Sequence, residues 1–103
     1  MKMILAIVNA DDAAKVTAAL IERGHRVTRI ATEGGWLRRQ NATLLLGVDD
    51  DKVNDVVRVL KDSAAKRTTQ IYMTSEGAGA LPFNVETGGA TYFVLNVERL
   101  ESV

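Results

Sequence analysis

Cysteine is missing from this chain of 103 residues. Its absence excludes disulfides, thiolate metal sites and thiol catalysis, and it suits a reducing compartment. Net charge is missing as well, because 13 Lys and Arg balance 13 Asp and Glu. A protein that grips nucleic acid by neutralising phosphates is clearly basic as a rule. General DNA or RNA binding is therefore disfavoured, though a local basic pocket is not. No apolar run approaches the ~20 residues that span a bilayer. The opening "MKMILAIVNADDAAK" puts one basic residue before a short apolar run, but no small-residue cleavage site follows. It reads as a first strand, not a signal peptide. Histidine occurs once, at His25, and tryptophan once, at Trp36. No Ser–His–Asp arrangement and no metal-ligand spacing appear. The expectation is a binding protein with no catalytic residues, no metal and no resident cofactor. His25, between Gly24 and a strand, reads as a half-exposed turn residue.

Apolar residues make up 47% of the chain, enough for one domain with a modest core. Residues 1–103 are read as that single domain. A shift of 40 residues lays "VNADDAAKVTAAL" (8–20) on "VDDDKVNDVVRVL" (48–60). Each copy opens with a β-rich run, "MILAIV" or "TLLLGV". Acidic residues suited to capping follow. A helical stripe comes next: Ala13, Val16, Ala19 and Leu20 in one copy, Val53, Val56, Val57 and Leu60 in the other. Gly24 ends the first helix. A strand closes each half, "RVTRIAT" (26–32) and "TTQIYMT" (68–74). The order βαββαβ is ferredoxin-like, an α+β fold. A flexible "SEGAGALP" (75–82) leads to "FNVETGGATYFVLNV", where Gly88 and Gly89 predict a hairpin or bend. This C-terminal β-hairpin extension completes the predicted fold.

Two helices cover only one face of a four-stranded sheet. Yet strand one is apolar on both: Met3, Leu5 and Ile7 on one, Ile4, Ala6 and Val8 on the other. Water on one face would favour alternation. Leaving several such side chains exposed forfeits ~1.5–3 kcal/mol each. The second face is expected to be covered by copies of the same chain, with the hairpin tail helping to join subunits.

The loop "ATEGGWLRRQN" (31–41) concentrates ligand chemistry. Glycine lets backbone groups approach a ligand closely. Trp36 offers a face on which a base stacks, worth ~1–3 kcal/mol. Asn41 presents a donor and an acceptor that match an adenine edge. Arg26 and Arg29, with Arg38 and Arg39, offer charge for phosphate, and Thr28 adds a hydroxyl. These are the parts of an adenine-nucleotide pocket. Trp36 and Leu37 suit an oligomer-interface plug equally, and Arg38 and Arg39 suit a solvated loop. The acids Asp49, Asp50 and Asp51 suggest Mg²⁺, but at a helix start capping and dipole stabilisation account for them better.

With these residues in view, the chain resembles the PII-like cyclic di-AMP receptor family, small bacterial signal-transduction proteins. The resemblance rests on "MKMILAIV", "RVTRIATEGGWLRRQNATLLLGVDDDKV" and "VETGGATYFVLNV". It covers nearly the whole chain, and "ATEGGWLRRQNATLLLGV" is its most specific part. It implies a ferredoxin-like, PII-like domain that forms a cytoplasmic homo-trimer and binds cyclic di-AMP in clefts between subunits. It implies an unidentified downstream protein partner, and neither membrane insertion nor nucleic-acid polymer. By position, Arg26 and Thr28 match residues near ligand phosphate and ribose. Gly35, Trp36 and Leu37 match the segment that packs on adenine, with Trp36 where many members have Phe. Asn41 matches the reader of an adenine edge, and Gly47 a backbone contact near the base. Gly24 stands where some members carry Asn, and the loop 75–82 is shorter than the family's glycine- and proline-rich loop. The alternatives are a PII-like sensor of ATP or ADP and a structural trimer without ligand.

Overall fold

The structure is a computed structural model that describes residues 1–30, 41–75 and 79–103. Strand β1 (Lys2–Asn9) leads through a 3-10 turn (Ala10–Asp12) into helix α1 (Ala13–Glu22). A short β2 (Thr28–Ile30) precedes β3 (Asn41–Val48). A second 3-10 turn (Asp50–Lys52) leads into α2 (Val53–Ser63). The two 3-10 turns and the two helix starts are each 40 residues apart, so the repeat read in the sequence is a repeated strand–turn–helix unit. The remaining strands are β4 (Arg67–Ser75), β5 (Gly79–Thr87) and β6 (Ala90–Asn96).

Four strands form one antiparallel sheet in the order β2-β3-β1-β6. This is the ferredoxin-like arrangement, and the fold is α+β. The residues of β1 that alternate toward the helices are Ile4, Ala6 and Val8. They meet Ala42, Leu44, Leu46 and Val48 of β3, Val16 and Leu20 of α1, and Val56 and Leu60 of α2 in one core. Each buried Val, Leu or Ile side chain contributes ~1.5–3 kcal/mol. Among the described residues no helix is long and apolar enough to cross a membrane.

Four expectations about local structure change. The strand 68–74 does not close the sheet. It lies in β4, which pairs along its whole length with β5, from Arg67↔Thr87 to Ser75↔Gly79, as a separate two-stranded ribbon. The sheet is completed by β6, whose Ala90–Asn96 lines the free edge of β1. β-Propensity marks a strand but does not choose its partner, and β4 finds the nearer one. Gly79–Pro82, expected in a flexible loop, belong to β5. Gly88 and Gly89, both at positive φ, form a bend that swings the chain from ribbon to sheet. The hairpin therefore sits between α2 and the last sheet strand, not at the end of the chain. Finally, the cap of the first 3-10 turn is Asn9, whose Oδ1 accepts from the Asp11 N–H at 2.9 Å. Asp49 makes no side-chain cap bond. Asp50 instead meets the amino terminus of Met1 at 2.8 Å, and this partner holds its carboxyl below the usual range.

The radius of gyration is 17.0 Å, above the ~13 Å of a compact chain of this length. The excess reflects the ribbon, which pairs with itself and leaves the body at its root. That root is fixed by Arg67 against Asp12 and by Gly88. A Cβ at Gly88 would lie 2.6 Å from the Ala65 carbonyl oxygen and 2.7 Å from Arg67 Nη1.

The sheet face away from the helices carries Met3 and Leu5, half-buried. On β6, Tyr92, Phe93, Val94 and Leu95 are all exposed, at 40 to 48%. Four consecutive large apolar residues thus lie bare on an edge strand.

Candidate ligand-binding site

The site begins at the end of α1. The Gly24 N–H donates to the Ile21 carbonyl at 2.9 Å, and the His25 N–H donates to the Leu20 carbonyl at 3.0 Å. This is a Schellman cap, with Gly24 at φ +85°. Glycine takes that conformation freely, and asparagine is the side-chain-bearing residue that tolerates it best. The cap stops the helix and delivers Arg26 toward β2.

Pairing of β2 with β3 sets which residues share a face. Thr28 lies opposite Leu45, and Ile30 opposite Thr43. Side chains alternate with period two, so Asn41, Thr43, Leu45 and Gly47 share the open face with Thr28. Arg29 lies opposite Leu44, a core residue, and so occupies the other face. It does not join Arg26 and Thr28 as expected. Thr43 is buried, and its hydroxyl has no hydrogen-bond partner among the described residues.

A cavity of about 720 Å³ opens beside this face, lined by Gly24, His25, Arg26, Gly47 and Asp55 among others. Its size falls in the range of small-molecule sites. Arg26 is exposed at its lip and makes no ion pair among the described residues. Gly47 is exposed, and a Cβ there would meet only Met1 Cε, at 3.8 Å. Thr28 and Asn41 do not line this cavity. Asn41 begins β3 and Gly47 stands near its end, about 20 Å away at ~3.3 Å per residue. The structure therefore gathers Arg26 and Gly47 at one end and sets Asn41 at the other. Gly35, Trp36 and Leu37, with Arg38 and Arg39, lie outside the described residues.

One part of the cavity wall escaped the sequence. Asp55 Oδ2 lies 2.8 Å from His25 Nε2 and accepts from Arg23 Nε at 3.3 Å, while Oδ1 accepts from Arg23 Nη2. Hydrogen bonds from Arg23, then His25, lower the Asp55 carboxyl to about 2. His25 is a partly buried turn residue, as expected, but its side chain is only 8% exposed and is held by Asp55, a contact the sequence did not signal. Nothing within the α2 pattern signals this contact, because Asp55 sits beside the apolar stripe as an ordinary polar position. A His–Asp pair also serves nucleophilic enzymes. Among the described residues, however, this cavity is lined by no hydroxyl or thiol. No group of three potential metal ligands occurs among the described residues either. Asp49, Asp50 and Asp51 do not form one.

A family model for the cyclic-di-AMP receptor matches residues 1–103. The chain belongs to the cyclic-di-AMP receptor family. The chain is also similar to a solved structure described as a functionally unknown protein from Pediococcus pentosaceus ATCC 25745. That likeness has 31% identity and a TM-score of 0.75, and it covers 99% of this chain and 96% of the other.

Proposed function

We propose that this receptor is a non-enzymatic signal-transduction protein that binds cyclic di-AMP in clefts between subunits of a homo-trimer in a bacterial cytoplasm. The observation that carries the reading is the shared sheet face of Thr28, Asn41 and Gly47, with Arg26 leading into it, in a member of the cyclic-di-AMP receptor family. Arg26 engages a ligand phosphate by charge-assisted hydrogen bonds, and the Thr28 hydroxyl adds a second donor. Asn41 reads an adenine edge through its amide. Trp36 supplies a stacking face, with Gly35 and Leu37 beside it.

Assembly follows from the same sheet. Exposed Tyr92, Phe93, Val94 and Leu95 on β6 and half-buried Met3 and Leu5 leave apolar surface open in a single chain. A two-stranded ribbon is marginal on its own in water, which adds a second reason for subunits to meet. The distance from Asn41 to Gly47 also favours a cleft, in which one ligand meets different ends of β3 from two subunits.

Calorimetry of the purified chain against cyclic di-AMP, cyclic di-GMP, ATP and ADP tests the ligand. Saturable binding of cyclic di-AMP alone, or at least tenfold tighter than the others, is expected. Preference for ATP or ADP would transfer the site to a different adenine nucleotide, and binding of none would leave a structural protein. Light scattering at micromolar concentration should give three times the chain mass; a monomer overturns the assembly.

A further inference from the structure

Arg23 and His25 flank Gly24, and both reach across to one carboxylate on the first turn of α2. We propose that Asp55 is a positioning residue for the ligand site, gripping Arg23 and His25 so that Arg26 is held at the lip of the cavity. This rests on the reading that cyclic di-AMP binds there.

The backbone at Gly24 is the place where this turn is softest, since glycine restricts φ and ψ least. Two backbone bonds tie the turn to α1, from Gly24 to Ile21 and from His25 to Leu20. Asp55 supplies the matching tie to α2. With both helices holding it, the turn has little freedom on either side of Gly24. Arg26 is the next residue after His25, so it inherits that fixed backbone.

The grip is built to persist in water. The side chains of His25 and Asp55 are 8% and 21% exposed, so solvent screens their contact only in part. Arg23 engages both carboxylate oxygens, a two-point contact that also fixes orientation. The depressed carboxyl of Asp55 accords with a charge that both partners favour.

The arrangement serves the ligand in two ways. A guanidinium on a fixed backbone loses less freedom when it meets a phosphate. A carboxylate already committed to Arg23 and His25 is also kept from pairing with Arg26. The cavity holds further acids, Glu22, Asp49 and Asp51. Committing Asp55 to Arg23 and His25 removes one of these lining acids as a partner for Arg26.

A double-mutant cycle on the full chain, read by calorimetry with cyclic di-AMP, tests this. Asp55→Ala should weaken binding about tenfold in the native background and less than about twofold in an Arg26→Ala background, because the effect runs through Arg26. Circular dichroism melts without ligand report folding, and Asp55→Asn replaces the alanine variant in the cycle if the latter unfolds. In parallel, His25→Gln, which keeps a donor toward Asp55, should hold affinity within about twofold, and His25→Leu should not. Where the Arg26→Ala chain binds too weakly to titrate, that histidine pair decides. Equal losses in both backgrounds, no loss, or identical behaviour of the two histidine variants overturns the inference and leaves the ligand reading standing. A native chain that ignores cyclic di-AMP strikes down the ligand reading itself.

Discussion

Arg67 and Asp12 are 55 residues apart in the chain and meet at two points, Nη2 to Oδ1 at 2.8 Å and Nη1 to Oδ2 at 3.2 Å. The Asp12 side chain is 7% exposed. The pair fastens the root of the β4–β5 ribbon to the start of α1, and the Arg67 guanidinium is raised by this partner. Arg67→Ala leaves a buried carboxylate without its cation. A fall in melting temperature on the order of 5 °C is expected. Asp12→Asn, which keeps the shape and removes the charge, should lower it less. Thermal unfolding followed by circular dichroism checks both.

Gly88 and Gly24 both adopt positive φ, but their surroundings differ. Gly24 has nothing within 4 Å of a built Cβ, while Gly88 faces the Ala65 carbonyl and Arg67. Gly24→Ala should cost ~1 kcal/mol of backbone strain alone. Gly88→Ala adds a backbone clash and should cost ~2–3 kcal/mol. Urea titrations of the two variants should rank them in that order; equal effects would mean the ribbon root yields.

Acid should weaken the α1–α2 connection. The Asp55 carboxyl is lowered to about 2 by Arg23 and His25. A carboxyl depressed by folding stabilises above its unfolded pKa, and that stability fades as pH falls through the folded value. The native chain should therefore lose stability between pH 4 and pH 2 as Asp55 protonates, while Asp55→Asn loses less over the same interval. Denaturant midpoints across that range would reveal the difference, and parallel curves would sink the assignment.

Trp36 provides a direct optical readout, since it is the sole tryptophan. Adding cyclic di-AMP should change its fluorescence saturably. Trp36→Phe should retain most affinity, and Trp36→Ala should lose ~1–3 kcal/mol, the worth of one base stack. An interface role gives the opposite pattern: a ligand-free assembly destabilised by ~3–5 kcal/mol, with affinity unchanged.

Asn41→Ala should weaken the same ligand by roughly 5- to 150-fold, as a buried hydrogen-bonding group loses its partner. The oligomer should be unaffected by light scattering. Unchanged affinity removes Asn41 from the site.

The helices and the inner strands were legible because periodicity reports burial. Val53, Val56 and Leu60 announce α2, and the repeat at 40 residues places α1 against the same sheet. Strand pairing was not legible. Both 68–74 and 90–97 have strand composition, and the choice of which completes the sheet depends on the bend at Gly88 and Gly89, set by φ values no pattern encodes. As candidates, Arg26, Thr28, Asn41 and Gly47 stood out because they sit in a motif stretch; the register then put Thr28, Asn41 and Gly47 on one face of the sheet. Arg29 could not be separated from them until the register fixed its face. Asp55 could not be found at all, since its contacts with Arg23 and His25 span 32 and 30 residues. They exist only because the C-terminus of α1 comes to rest beside the N-terminus of α2.

The ribbon leaves the body at Lys66 and Arg67 and returns at Gly88, and both ends are pinned there. Its length is thus decoupled from the sheet. Residues added or removed at its far end would leave the register of β6 on β1 unchanged, from Lys2↔Asn96 to Val8↔Ala90. Lengthening a loop is thermodynamically mild, since each doubling costs only about 0.6 kcal/mol of closure entropy. The arm is in effect an interchangeable part, whose length can change while the four-stranded sheet stays the same.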